Sequence, residues 1–341
     1  MKFGPIPVES AAGKIMGHNI AGPDGKRVYR KGKLITPEDV QKLIALGKTS
    51  IYVAELEPGD IKEDQAALRI AQSVTNTGLR LSGPAAGRVN LLATVHGVIR
   101  VNVSALLQIN QIPGLTLATL PNHQVVLPRQ IVGTVKVIPY AVPGALLELA
   151  ESGIAANQPV LCVAELFPKK VAIFLSGSDA VRERLVSDFE IPLRARVEGF
   201  GSRAILIGYL KLEDEGDETV LSNHFQEAVS QEYDLIILAG ETAIMDRSDL
   251  VPRALERAGG SVECVGVPVD PGNLLMLGYL GDVPVLGAPG CARSLKTNAL
   301  DWVLPRLLVG ERLSLVDLAQ MGHGGLLEDT AKRPMPRNRL V

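Results

Sequence analysis

Aromatic residues are scarce: Phe, Tyr and Trp together make up 4% of the 341 residues, with a single Trp. So few rings leave little stacking surface for single-stranded nucleic acid, and they predict a core built from Leu, Val, Ile and Ala. An excess of either charge is also lacking. The 35 Lys and Arg side chains against 37 Asp and Glu give a formal net charge of -2, so no general positive field exists to neutralise a phosphate backbone. Nucleic acid is therefore not an expected partner, while a local anion site stays open. Cysteines number three, and Cys162, Cys264 and Cys291 show no CxxC or short Cys/His spacing. Neither a zinc knuckle nor a disulfide framework is indicated, which suits reducing surroundings. The five histidines, His18, His96, His123, His224 and His323, form no local metal motif. The leading MKFGPIPVESAAGK has no continuous apolar stretch, and no later run approaches the roughly 20 apolar residues that cross a bilayer. A cytoplasmic protein without a membrane segment is expected. Neither a full GxGxxG in strand-to-helix order nor GxxxxGK[ST] is present, which argues against nicotinamide and P-loop sites.

What is present is a folded composition of 46% hydrophobic and 21% charged residues, long enough for two cores. Early in the chain, LITPEDVQKLIALG predicts a helix, with Thr36 capping, Pro37 at its first position, and Glu38 and Asp39 at its positive end. EDQAALRIAQSVTNTG predicts a second helix, with Glu63 and Asp64 at its start and Gly78 beyond its end, and TSIYVAEL a strand between the two helices. From about Gly87 to Val163 strand-like pieces dominate, including RVNLLATVHGVIRVNVSALLQIN and IVGTVKVIPYAV, with AVPGALLELAESG as a helix. After Phe167 the pattern becomes an α/β alternation running to about Glu311, with near-continuous apolar strands such as VAIFLSG and DLIILAG. The expected division is a mixed, β-rich unit over 1–166, an α/β domain over 167–312, and a loosely packed tail over 313–341 that includes AKRPMPRNRL. EDEGDE, Glu213 to Glu218, reads as a solvated turn without EF-hand spacing.

Three turns of the α/β region follow apolar strands: Leu175 to Asp179, Ala239 to Ala243, and Ala288 to Ser294. Carboxyl ends of parallel strands are where an open α/β sheet forms its ligand crevice, so the recurrence matters more than any single turn. The first turn offers Gly177, Ser178 and Asp179, and the second Gly240, Glu241 and Thr242. The third offers Pro289, Gly290 for close backbone approach, Cys291, Ser294 as a cap for the following helix, and Arg293 and Lys296 as cations. An ordinary helix start with surface cations is the competing reading of that turn. Beyond the second turn, Asp246 and Asp249 either complement a helix N-terminus or place carboxylates beside a ligand, with Ser248 available as a cap. Asp270, Pro271, Gly272 and Asn273 form a further Pro-Gly corner, either a plain turn or part of the crevice wall. Cys291 lacks a local His base and reads as a packing residue rather than a nucleophile.

The segments VAIFLSGSD, DLIILAGETAIMDRSDLVPRAL, DPGN and APGCARSLKTNALDWVLPRLLVGE together resemble the molybdopterin-binding MoeA-like and MogA/MoaB domain family. PVESAAGKIMGHNI, YRKGKLITPEDVQKLIALG and GDIKEDQAALRIA are similar to the leading domain of MoeA-type proteins, in the same order along the chain. The resemblance implies a MogA-like three-layer domain with a mostly parallel sheet, preceded by a mixed MoeA-like unit. It implies molybdopterin or nucleotide-linked molybdopterin as substrate, Mg2+ at Asp246 and Asp179 as catalytic carboxylates, molybdate insertion, and a homodimer. No cofactor is expected to be needed for folding. A non-catalytic carrier or maturation chaperone, delivering cofactor to a molybdenum enzyme or working beside a nucleotide transferase, is the alternative. Departures bear on that choice: the acidic TGDE-like turn is SGSD here, and the GGVSVGD-like loop is GETAIMD, with Glu241 replacing a glycine. Only 30 residues follow Glu311, so the family's C-terminal β domain is expected to be missing.

Overall fold

The computed structural model describes residues 1–212 and 217–327. Its contacts divide the chain into two compact units, Met1–Ala164 and Glu165 onward.

In the first unit, Lys2–Pro7 and Ile15–Met16 flank Ser50–Glu55 in a three-stranded sheet. The helix Pro37–Ala45 starts at Thr36 as expected, in a capping box whose second member is Asp39. Its Leu43 packs with Val8, Met16 and Val53. A four-stranded antiparallel sheet, ordered Leu115–Thr119, Ile131–Val137, Arg88–Ala93 and Leu79–Ala85, packs against the helix Glu63–Val74. Ile70, Leu91, Leu147 and Leu161 belong to the core between them. One element corrects the reading of this region as strands: Val103–Asn110 is a helix. Asn102 caps it by accepting a hydrogen bond from the Ala105 amide at 3.1 Å, and this local start overrides the apolar run that follows.

In the second unit, β1 (Lys170–Gly177), β2 (Arg203–Lys211), β3 (Leu235–Gly240), β4 (Ser261–Val265), β5 (Met276–Leu280) and β6 (Val283–Gly287) form one sheet in the order β2-β1-β3-β6-β5-β4. The pairings β1/β2, β1/β3 and β3/β6 are parallel, whereas β4/β5 and β5/β6 are antiparallel. The fold is thus mixed α/β with several sheets. Strand β5 went unread in the sequence because its apolar residues follow the Pro-Gly corner without a separate turn signal.

Five helices accompany this sheet among the described residues: α1 (Arg182–Gly199), α2 (Asp217–Ser230), α3 (Leu250–Arg257), α4 (Ala299–Leu308) and α5 (Leu315–Ala319). Phe174 of β1 clusters with Phe225 of α2 and Leu255 of α3. Its neighbours of opposite parity, Ile173 and Leu175, are equally buried, so both faces of β1 are covered. Of the acidic segment, 213–216 lies outside the described residues, while Asp217 and Glu218 open α2. Beyond Glu311 the chain is not uniformly loose. Leu313 and Leu318 are buried, Ser314 and Asp317 form a capping box, and Tyr279 and Leu313 exchange hydrogen bonds. The basic AKRPMPRNRL lies outside the described residues.

Candidate functional site

Register alone brings the first two turns together. Ser176 of β1 pairs with Gly240 of β3, and Leu238 of β3 pairs with Gly287 of β6, so three parallel strands finish at one edge of the sheet. A cavity of about 420 Å³ opens there, lined by Gly177, Gly240, Glu241, Thr242, Asp249 and Arg253 among others, with Ala288 at the start of the third turn. A larger cavity, about 540 Å³, lies at the opposite edge. There Lys169 pairs with Asp234 at 2.9 Å and Arg312 lies over the Tyr279 ring, so both cations of the lining are already engaged.

Within the crevice, Glu241 ties the second turn to the first. Its Oε2 accepts the Ser178 N–H at 2.9 Å and the Ser178 hydroxyl at 3.0 Å. Those two donors hold the Glu241 carboxyl below the usual carboxylate range. Tyr209 donates its hydroxyl to the Ser178 carbonyl at 2.6 Å, fixing the turn from β2. Asp179 opens a short 3-10 turn, is 63% exposed, and pairs with Lys211 at 3.1 Å. Asp246 accepts the Ser248 N–H at 2.8 Å, which lowers its carboxyl pKa. Asp249, rather than Ser248, is the residue at the start of α3, and its Oδ2 accepts the Met245 and Asp246 amides at 2.5 and 3.0 Å. Arg253 of α3 has a buried Nε without a hydrogen-bond partner, 3.5 Å from Glu218 Oε2.

The third turn is shaped by a residue that the sequence reading did not single out. Arg196 of α1, 6% exposed, donates to the carbonyls of Ala292, Ser294 and Lys296 at 3.0, 2.7 and 3.0 Å and to Asp301 Oδ1 at 2.9 Å. Its signal was a cation on the apolar face of a helix, in line with Phe189 and Leu193. Pro289 precedes a 3-10 turn, Gly290–Arg293; Gly290 is exposed, and Arg293 lies over the Phe189 ring. Burial raises the pKa of Cys291, which agrees with a packing thiol. Ser294 does not cap α4; the fully buried Asn298 does, in a capping box with Asp301. Lys296 is exposed, and its amide donates to Ser294 Oγ.

Asp270, Pro271, Gly272 and Asn273 lie beside α4 rather than in the cavity lining. The Ala299 amide donates to the Pro271 carbonyl at 3.1 Å, and the Asn273 carbonyl accepts from Val267. Gly272 has φ +126°, and a Cβ there would stand 2.4 Å from the Ala299 Cβ, so glycine is required on both counts. Asp270 is close enough to act electrostatically on the Cys291 thiol, which puts this corner near the third turn.

No all-protein cage for Mg2+ is found among the described residues. Asp179 is engaged by a lysine and Asp246 by a local amide, and among the described residues no three His, Cys, Asp or Glu side chains gather as a metal site. Among those residues, too, no helix is long and apolar enough to cross a membrane.

Comparisons with known proteins give the following likenesses. Residues 5–55 match a domain of unknown function (DUF8806). No curated protein matches the chain. Among solved structures, a molybdenum cofactor biosynthesis protein from Pyrococcus furiosus is 13% identical, with a TM-score of 0.27 over 91% of this chain and 64% of its own. The chain therefore spans less than two thirds of that structure's length. The molybdopterin biosynthesis MoeA protein from Pyrococcus horikoshii is 15% identical, with a TM-score of 0.31 over 94% and 77% of the two chains. The molybdopterin biosynthesis enzyme MoaB from Thermus thermophilus is 17% identical, with a TM-score of 0.29 over 42% of this chain and 98% of its own. The chain is thus distantly similar to proteins of molybdopterin biosynthesis, and at these scores the likeness assigns no activity.

Proposed function

We propose that the crevice where β1, β3 and β6 end binds molybdopterin or nucleotide-activated molybdopterin during assembly of the molybdenum cofactor. The observation that carries this reading is the meeting of the first two turns in one cavity, at the edge from which the third turn also leaves. The resemblance of segments in both units to MoeA-like and MogA-like sequences supports this choice of ligand. The second unit is read as a MogA-like domain on the same ground.

Carriage of the cofactor is favoured over insertion of molybdate. What supports carriage is the state of the two carboxylates expected to work with a metal: Lys211 holds Asp179, and the Ser248 amide holds Asp246. Insertion would require both to exchange these partners for a cation. The test is to incubate the purified chain with molybdopterin, remove free ligand, identify what is retained by mass spectrometry, and add an apo molybdenum enzyme. Retention and transfer without chemical conversion is the expected result. Conversion of adenylylated molybdopterin with molybdate and Mg2+, lost in Asp246→Asn, would instead assign insertion. Failure to retain any pterin overturns the reading.

A further inference from the structure

The donor pair at the first turn already has an anion. An N–H and an O–H from Ser178 converge on one oxygen of Glu241, the arrangement that an anionic oxygen of a ligand would otherwise complete. The surroundings are shaped around this side chain. A Cβ at Gly177 would lie 2.9 Å from the Glu241 Cβ and 3.0 Å from its Oε2, so glycine at 177 leaves the carboxylate its space. The Glu241 amide is anchored on the Ser176 carbonyl at 2.9 Å, and Tyr209 holds the Ser178 carbonyl from the other side. The basic residue of the cavity lining is Arg253, ion-paired with Glu218 at 3.5 Å, and Arg184 acts electrostatically on Glu241 itself.

We propose that Glu241 is a specificity-determining residue: an internal anion that fills the first turn's donors, so that this part of the crevice rejects phosphate and accepts the N–H-bearing aminopyrimidinone edge of a pterin. The proposal rests on the pterin-binding reading above. An ionised carboxylate both occupies the donors and repels a second anion, whereas the N–H groups of a neutral heterocycle meet an acceptor. The phosphate of the ligand is then left outside this turn.

The experiment titrates two probes, phosphate-free pterin and inorganic pyrophosphate, into wild type, Glu241→Ala and Glu241→Gln, with circular dichroism to verify folding. Wild type binds pterin and not pyrophosphate. Glu241→Ala empties the donors, weakens pterin by about tenfold and gains pyrophosphate binding. Glu241→Gln keeps an oxygen on Ser178, so it loses pterin affinity without that gain; a merely structural role would not separate the two variants. Pyrophosphate displacing pterin from wild type, or an Ala variant that matches wild type for both probes, overturns the proposal. Intact molybdopterin is titrated in parallel. If wild type retains it and Glu241→Ala is unchanged for every ligand, the role of Glu241 fails and the pterin-binding reading stands. If wild type retains neither molybdopterin nor pterin, while the Ala variant gains pyrophosphate, the pterin reading and the pterin half of the proposal fail and only exclusion of phosphate is supported.

Discussion

Asp39 links the charge state of one side chain to the acid stability of the N-terminal unit. Burial acts to raise its carboxyl pKa, but the Lys33 ammonium, the Thr36 amide and the Tyr29 hydroxyl outweigh that and hold it at about 2, against an ordinary 3.8. Because the folded value is depressed, the stabilisation is complete above the unfolded pKa and disappears as pH falls through the folded one. Denaturant unfolding of wild type should therefore weaken between about pH 4 and pH 2, by roughly 2 kcal/mol from this group. Asp39→Asn should lose that stabilisation at neutral pH and show a flatter profile over the same interval. Arg196 makes a second residue-level prediction. It is buried with a forked set of hydrogen bonds, so Arg196→Lys should cost about 3 kcal/mol and loosen 292–296, read as faster amide exchange there. Equal stability and exchange in the variant would show that the fork does not hold the turn.

Elements whose ends carry their own signals were legible in the sequence, and those defined by partners were not. Thr36 and Pro37 announce the helix Pro37–Ala45, and the apolar runs of β1 and β3 announce strands covered on both faces. Val103–Asn110 read as strand because Val103, Leu106, Leu107 and Ile109 are apolar, while the deciding Asn102 was one residue among many. The start of α4 was misplaced for a related reason. Ser294 and Asn298 are both good caps, and only the contacts of Arg196 make 290–296 a turn in its own right. Asn298→Ala should accordingly cost about 1–2 kcal/mol, whereas Ser294→Ala should stay within about 0.5 kcal/mol, both measured by chemical unfolding. The joining of Glu241 to Ser178 could not be read locally either. Sixty-three positions separate them, and only the β1/β3 register brings them together.

At the scale of the whole molecule, two compact units meet in sequence at Ala164 and Glu165. Each has its own buried clusters, so the segment from Glu165 onward, expressed alone, should melt cooperatively and match the full chain in the pterin binding proposed for the crevice. A non-cooperative melt would mean that the unit depends on the first. Sedimentation of the full chain tests the homodimer that the family resemblance implies; a monomer or trimer would reject it. Composition limits the partners at this scale, because a formal net charge of -2 supplies no general positive field for a polyanion.

Reversing β5 has an architectural effect. Since β4 runs with β6 and β5 runs against both, Val265 and Met276 face each other at the crevice edge. The stretch joining them never has to cross the sheet, so both its ends are rooted beside the opening. Between those ends 266–275 is stitched down, with the Pro271 carbonyl on the Ala299 amide, the Asp270 amide on the Gly325 carbonyl and Gly272 seated on Ala299, so that a change in its length would pull on the start of α4.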